Sequence, residues 1–128
     1  MKKLFALLAT ATLAVTTFAG EFADIKPADV KAAAAAKTAV IIDANSPASY
    51  QSGHVPGALS FAAIKGNLAA SLPADKNTLI IAYCGGPQCG AYLNAAKAAE
   101  KLGYTNIKHM SAGISGWKAA NLPTEAAK

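Results

Sequence analysis

Arginine is missing from all 128 residues, and the twelve basic side chains are lysines. A chain without guanidinium groups has no planar fork for bidentate contacts to guanine, phosphate or carboxylate. The lysines are scattered, with no basic stripe carrying interleaved aromatics, so no nucleic-acid partner is expected. Tryptophan occurs once, and cysteine and histidine twice each. The spacings of those cysteines and histidines match no common zinc pattern, so neither metal nor cofactor is expected. No apolar run reaches the roughly 20 residues that a membrane-spanning helix needs.

The N-terminus carries a different signal. Met1-Lys2-Lys3 is a short positive start, residues 4–18 are apolar with interspersed threonines, and Thr17-Phe18-Ala19 supplies small residues where a signal peptidase reads. This is the secretory pattern. It predicts a signal peptide over residues 1–19, a mature chain of residues 20–128, and an exported protein, periplasmic in a cell with two membranes. No stable membrane insertion is expected after cleavage. Without Lys2 and Lys3, ten lysines face seven acids, a mild positive balance that attracts small anions only weakly. The mature length suits one compact domain.

Along that domain, helical and strand patterns alternate. Residues 25–37 predict an alanine-rich helix with Pro27 in its first turn. Ala39-Val40-Ile41-Ile42 is a continuous apolar run of the kind buried on both faces of a parallel sheet, with Asp43 at its end. Ser46 caps a short helix. Residues 58–61 predict a second strand, residues 67–72 a short helix and residues 78–83 the central strand. Residues 90–102 predict the clearest helix, with Tyr92, Ala95, Ala96, Ala99 and Leu102 on one stripe and Gly103 as C-cap. A last strand at 106–110 and a helix at 114–120 complete the pattern. The expected fold is α/β: a single domain with a mostly parallel central sheet flanked by helices on both faces. Ligands of such sheets bind beyond the carboxyl ends of the strands, where Asp43, Cys84 and His109 all fall.

Cys84 is the residue with the most chemistry. It ends the central apolar run and opens the loop Gly85-Gly86-Pro87-Gln88-Cys89, after which helical pattern begins at Gly90. A cysteine between a strand and a helix N-terminus faces unpaired backbone N–H groups and the positive end of the helix dipole. That setting lowers a thiol pKa and favours the reactive thiolate. Cys89 lies five residues on. A disulfide over so short a loop restricts the unfolded chain only slightly, so a Cys84–Cys89 bond would serve redox chemistry rather than scaffolding.

Four segments in order resemble the rhodanese-like sulfurtransferase domain, over residues 27–122. They are Ile41-Ile42-Asp43-Ala44-Asn45, Gly53-His54-Val55-Pro56-Gly57-Ala58, Tyr83-Cys84 with its short loop, and Gly103-Tyr104-Thr105-Asn106-Ile107 followed by Ala112-Gly113-Ile114-Ser115-Gly116-Trp117. The resemblance implies a rhodanese-like domain in which Cys84 takes sulfane sulfur from a small donor, becomes a persulfide, and passes the sulfur to a thiol or cyanide-like acceptor. It implies that the loop Gly85, Gly86, Pro87, Gln88, Cys89 and Gly90 cradles the sulfur anion, through the N–H groups of Gly85, Gly86, Gln88 and Cys89. Pro87 would hold the loop's shape, and glycines at 85 and 86 would permit positive φ and close backbone approach. Asp43 and His54 are supporting residues, Asp43 accepting loop hydrogen bonds and His54 bonding backbone in its turn.

The chain departs from the family pattern at two positions. Asn45 and Cys89 stand where members of the family often carry arginine, which argues against thiosulfate as natural donor. Related phosphatases use a longer loop ending in arginine, where this chain has Gly90. Cys89 could instead resolve a Cys84 persulfide or sulfenic acid as a disulfide, and a periplasmic thiol reductant would then be a partner. Two alternatives to sulfur transfer follow: a thiol–disulfide redox protein using Cys84 and Cys89, and a catalytically inactive rhodanese-like binding module.

Overall fold

Two short runs rich in β-branched residues, Ala39–Asp43 (β2) and Leu79–Tyr83 (β4), lie in parallel at the centre of the sheet, from Ala39 opposite Leu79 to Asp43 opposite Tyr83. The computed structural model describes residues 22–127. The expected signal peptide at residues 1–19 lies outside the described residues. Ala23–Asp24 (β1), Ile107–His109 (β5) and Leu59–Ser60 (β3) complete a five-stranded sheet in the order β1-β5-β4-β2-β3, with every neighbouring pair parallel.

Each face of this sheet is covered, which is why the central strands read as continuous apolar runs rather than alternating ones. Ile81 and Tyr83 turn into one core with Val30 of α1 (Pro27–Ala36) and Ile114 and Trp117 of α6 (Gly113–Ala119). Ile80 and Ala82 turn into the other, with Ala95, Ala96 and Ala99 of α5 (Tyr92–Lys101). Leu68 of α4 (Leu68–Ser71) joins that second core, against which Phe61 and Ile64 of α3 (Phe61–Ile64) pack. Fully burying a side chain the size of Ile or Phe is worth about 1.5–3 kcal/mol, so these two layers carry most of the driving force. The remaining helix, α2 (Pro47–Ser52), starts at Pro47 with the Ser46 hydroxyl accepting from the Ser49 N–H at 3.3 Å. Among the described residues, no helix is long and apolar enough to cross a membrane.

Local chemistry sets the element ends. Proline biases the preceding residue toward extended backbone, and Lys26 adopts φ −77°, ψ 151°, so α1 begins at Pro27 rather than at residue 25. After α5, the Gly103 N–H donates to the Glu100 carbonyl and the Tyr104 N–H to the Ala99 carbonyl, a Schellman ending that uses the positive φ of Gly103.

Beyond shifts of one or two residues at element ends, as at Pro27 and at α5, which starts at Tyr92 rather than Gly90, three segments differ from the sequence expectation. The strand β1 is not visible in the sequence pattern, because two edge residues carry no alternation. It exists because β5 offers it a partner, and the Ile25 N–H extends the ladder to the His109 carbonyl. The expected strand over 58–61 shrinks to Leu59–Ser60, and Phe61 instead starts a helix. From there α3, a 3-10 turn at Lys65–Asn67 and α4 follow one another directly, and the alanines of this stretch suit helix better than strand.

Candidate active site

Cys84 is the first residue beyond β4, at the carboxyl edge of the sheet, and only 1% of it is exposed. The backbone around it is held from one side. Its carbonyl accepts from the Ile114 N–H at 2.9 Å, and the Gly85 carbonyl accepts from the Ser115 N–H at 3.0 Å. Both donors belong to the first turn of α6, whose N–H groups have no partner within the helix. Gly113 makes this approach possible. Its φ is +62°, and a Cβ there would lie 2.6 Å from both the Gly85 carbonyl carbon and the Gly86 nitrogen.

The second half of the loop is a tight turn. The Cys89 N–H donates to the Gly86 carbonyl at 3.1 Å, with Pro87 in the second turn position that proline favours. Cys84 and Cys89 form a disulfide, with their Cα atoms 6.2 Å apart. Neither sulfur titrates in this state. The Cys89 N–H, expected to face the sulfur, is therefore spent on closing the turn. Among the described residues the N–H groups of Gly85, Gly86 and Gln88 donate to no protein acceptor. Pro87, Gln88 and Gly90 are exposed.

The glycines at 85 and 86 behave otherwise than expected. Neither has positive φ, and a Cβ on either would meet its neighbours at ordinary contact distances of 3.7 and 3.9 Å. The position that demands glycine is Gly113, on the segment that presses against the loop. Its place in the Ala112-Gly113-Ile114 sequence gives no local sign of this, because the constraint comes from tertiary contact.

The three polar groups expected on the rim are all there, but two of them turn to opposite faces. Asp43 is fully buried on the α1/α6 face. One carboxylate oxygen accepts from the Asn45 N–H at 2.7 Å and the other from the Tyr83 hydroxyl at 2.6 Å, while that hydroxyl accepts from the Val55 N–H at 3.0 Å. Burial and the adjacent Asp43 carboxylate push the Tyr83 pKa far upward, so the phenol remains a donor. Asp43 thus ties β2, β4 and the 53–57 turn together through Tyr83, a residue the sequence pattern marks only as apolar core. The Asn45 amide nitrogen is buried without a partner, and its amide oxygen is 3.7 Å from where a Gly85 Cβ would stand. It is an unused donor beside the cysteine loop.

His109 lies on the α5 face, its ring stacked on Tyr92 with centroids 3.3 Å apart. His54 sits in its turn, 4% exposed, stacked on Tyr50. Its Nδ1 is 2.8 Å from the Tyr50 carbonyl, which fixes the proton there, and its Nε2 is 3.6 Å from the Glu125 carboxylate. Glu125 also bridges His54 through both backbone groups and accepts from the Gly57 N–H. His54 therefore clamps the C-terminal segment. A hollow of about 530 Å³ lined by Lys37, Ala39, Pro56 and Leu72 lies at the opposite end of β2 from the thiol loop.

Two consequences are measurable. Gly113→Ala would force an unfavourable left-handed backbone, which alone costs roughly 1–2 kcal/mol, and would push the loop away. A drop in urea unfolding free energy of about 2 kcal/mol or more is expected, together with slower alkylation of reduced Cys84. Burial holds the His109 pKa below its usual 6.5, with the Asp24 carboxylate opposing that shift. The unfolded chain then takes up a proton before the folded one, so this contribution to stability is full above pH 6.5 and is lost as pH falls below it. The urea midpoint should fall between pH 7.5 and 5.5, and the fall should be smaller in His109→Asn.

A rhodanese-like domain profile matches residues 26–120. The chain is 30% identical over 86 residues to the HTH-type transcriptional regulator Rv0324 of Mycobacterium tuberculosis, covering 66% of this chain and 37% of the regulator. The match thus spans little more than a third of that relative. The crystal structure of the BH2092 protein from Bacillus halodurans superposes with a TM-score of 0.69 at 26% identity, over 81% of this chain and 77% of that one. Thiosulfate sulfurtransferase from Pseudomonas aeruginosa superposes with a TM-score of 0.69 at 22% identity, over 84% of this chain and 20% of that one, a likeness of fold. With the parallel sheet and the cysteine loop at its carboxyl edge, the extent of the profile match establishes that this chain belongs to the rhodanese-like domain family.

Proposed function

We propose that this protein is a sulfurtransferase that carries sulfane sulfur as a persulfide on Cys84. The observation that supports it most is the asymmetric holding of the loop. The carbonyls of Cys84 and Gly85 are bound to α6, while among the described residues the N–H groups of Gly85, Gly86 and Gln88 have no protein acceptor. Unpaired N–H groups around a strand-end cysteine suit an anion on sulfur. In the first step the Cys84 thiolate attacks the outer sulfur of a small persulfide donor, a Cys84–sulfur bond forms, and the donor thiolate leaves. In the second step a thiolate acceptor attacks the terminal sulfur and Cys84 leaves as thiolate.

The lysine-only chain and Asn45 favour a thiol-borne persulfide over thiosulfate as donor, since thiosulfate would gain most from a guanidinium clamp. The partners are then a small sulfane donor, a thiol acceptor and a thiol reductant that keeps Cys84 available. The lysine-led apolar N-terminus and the disulfide both fit an exported, periplasmic protein. A second reading, thiol–disulfide exchange through the same pair, is favoured by the Cys84–Cys89 bond itself.

The test uses Cys89→Ser, reduced and mixed anaerobically with glutathione persulfide. The Cys84 peptide should gain one sulfur atom by mass spectrometry and lose it to excess thiol, and Cys84→Ser should gain none. Absence of a sulfur-loaded Cys84 peptide would sink the proposal and leave a redox couple or a binding module.

A further inference from the structure

The geometry points to Cys89 as an internal acceptor that cleaves the Cys84 persulfide, so that the loop converts sulfane sulfur into hydrosulfide and itself becomes the Cys84–Cys89 disulfide. This rests on the persulfide proposal above and adds an outcome that a simple carrier lacks.

Both cysteines are placed by contacts that do not depend on the bond between them. Cys84 is held by β4 and by the Ile114 N–H on its carbonyl, with the Ser115 N–H on the next carbonyl, that of Gly85, and Cys89 is held by the Gly86–Cys89 turn with Pro87 inside it. Their Cα separation of 6.2 Å lies within the range of ordinary disulfides. After reduction the two thiols therefore remain neighbours. A tethered group acts at an effective concentration of about millimolar for a short flexible link, and far higher when geometry is preset. Exposure favours the same partner. Cys84 is 1% exposed and Cys89 is partly exposed, so an external thiol must enter past the sulfur already beside the persulfide.

The step balances. The Cys89 thiolate attacks Cys84 Sγ, the inner sulfur of the persulfide. The Sγ–Sγ bond forms, the bond to the terminal sulfur breaks, and that sulfur leaves as hydrosulfide with the electron pair. The sulfane sulfur is reduced by two electrons, and the two cysteine sulfurs are oxidised by two on forming the disulfide. The Cys89 proton passes to solvent or to hydrosulfide. Renewal needs a dithiol reductant. It would attack Cys89 Sγ, the more accessible sulfur, release Cys84 as thiolate, and close its own disulfide to free Cys89.

The test compares wild type with Cys89→Ser and Cys89→Ala, each reduced, desalted anaerobically and given one equivalent of glutathione persulfide. Hydrosulfide is trapped with monobromobimane, and the cysteine peptides are weighed. Wild type should release close to one hydrosulfide per chain and end as the disulfide. Both variants should retain the sulfur on Cys84 and release at least tenfold less hydrosulfide. A wild type that keeps the extra sulfur, on Cys84 or Cys89, without releasing hydrosulfide overturns this inference and leaves the carrier standing. Hydrosulfide release at the wild-type rate from the Cys89 variants also overturns it. Failure of the Cys89 variants to load Cys84 at all removes the persulfide proposal itself.

Discussion

Two hydrogen bonds from the first turn of α6 to the carbonyls of Cys84 and Gly85 decide what the loop presents. Carbonyls drawn toward the helix leave the neighbouring N–H groups facing elsewhere, and a surface of donors without side-chain charge results. The arrangement needs α6 to approach the loop backbone to within a distance that no side chain at residue 113 would allow. A seven-residue helix far along the chain thus sets the polarity of a site whose reactive atom lies about thirty residues earlier, the kind of dependence that tertiary packing creates and local propensity does not.

A buried carboxylate normally carries a large desolvation cost, and one lacking partners would unsettle the fold. Asp43 avoids this through charge-assisted bonds from the Asn45 N–H and the Tyr83 hydroxyl, and the tyrosine oxygen is in turn satisfied by the Val55 N–H. The chain of bonds spans the strand pair β2–β4 and the turn at 53–57. The same turn is gripped from the far side by His54 and Glu125, so the rim on that face is fixed by polar contacts with few alternatives. The opposite face is packed by alanines of α5 and by the Tyr92–His109 stack, and burial there lowers the His109 pKa.

The parallel sheet was legible because its central strands are short, apolar and interleaved with helices, and the position of Cys84 followed from the strand end alone. The helix end at Gly103 was legible from its glycine, whereas Pro27 marks a start two residues later than the one the alanine-rich pattern suggested. What escaped depended on partners. Residues 23–24 form a strand only because β5 has a free edge, and Phe61 is helical because the alanines after it are. Tyr83 reads as core, and nothing in its neighbours shows that its hydroxyl reaches Asp43. Gly85 and Gly86 drew attention because they follow the cysteine, yet the position that admits only glycine is Gly113.

The disulfide bears on chemistry more than on stability. Closing five residues of sequence removes little freedom from the unfolded chain, and the loop already has its turn bond and its two anchors to α6. A bond that adds so little to folding acts mainly by controlling when the buried sulfur can react. In its oxidised form Cys84 has no thiolate and cannot accept sulfur, so any turnover by this site is coupled to a reductant. A rhodanese-like loop with arginine at position 89 would hold an anion by charge. With cysteine there, the proposed persulfide chemistry would draw on the two electrons of the cysteine pair in place of that fixed charge.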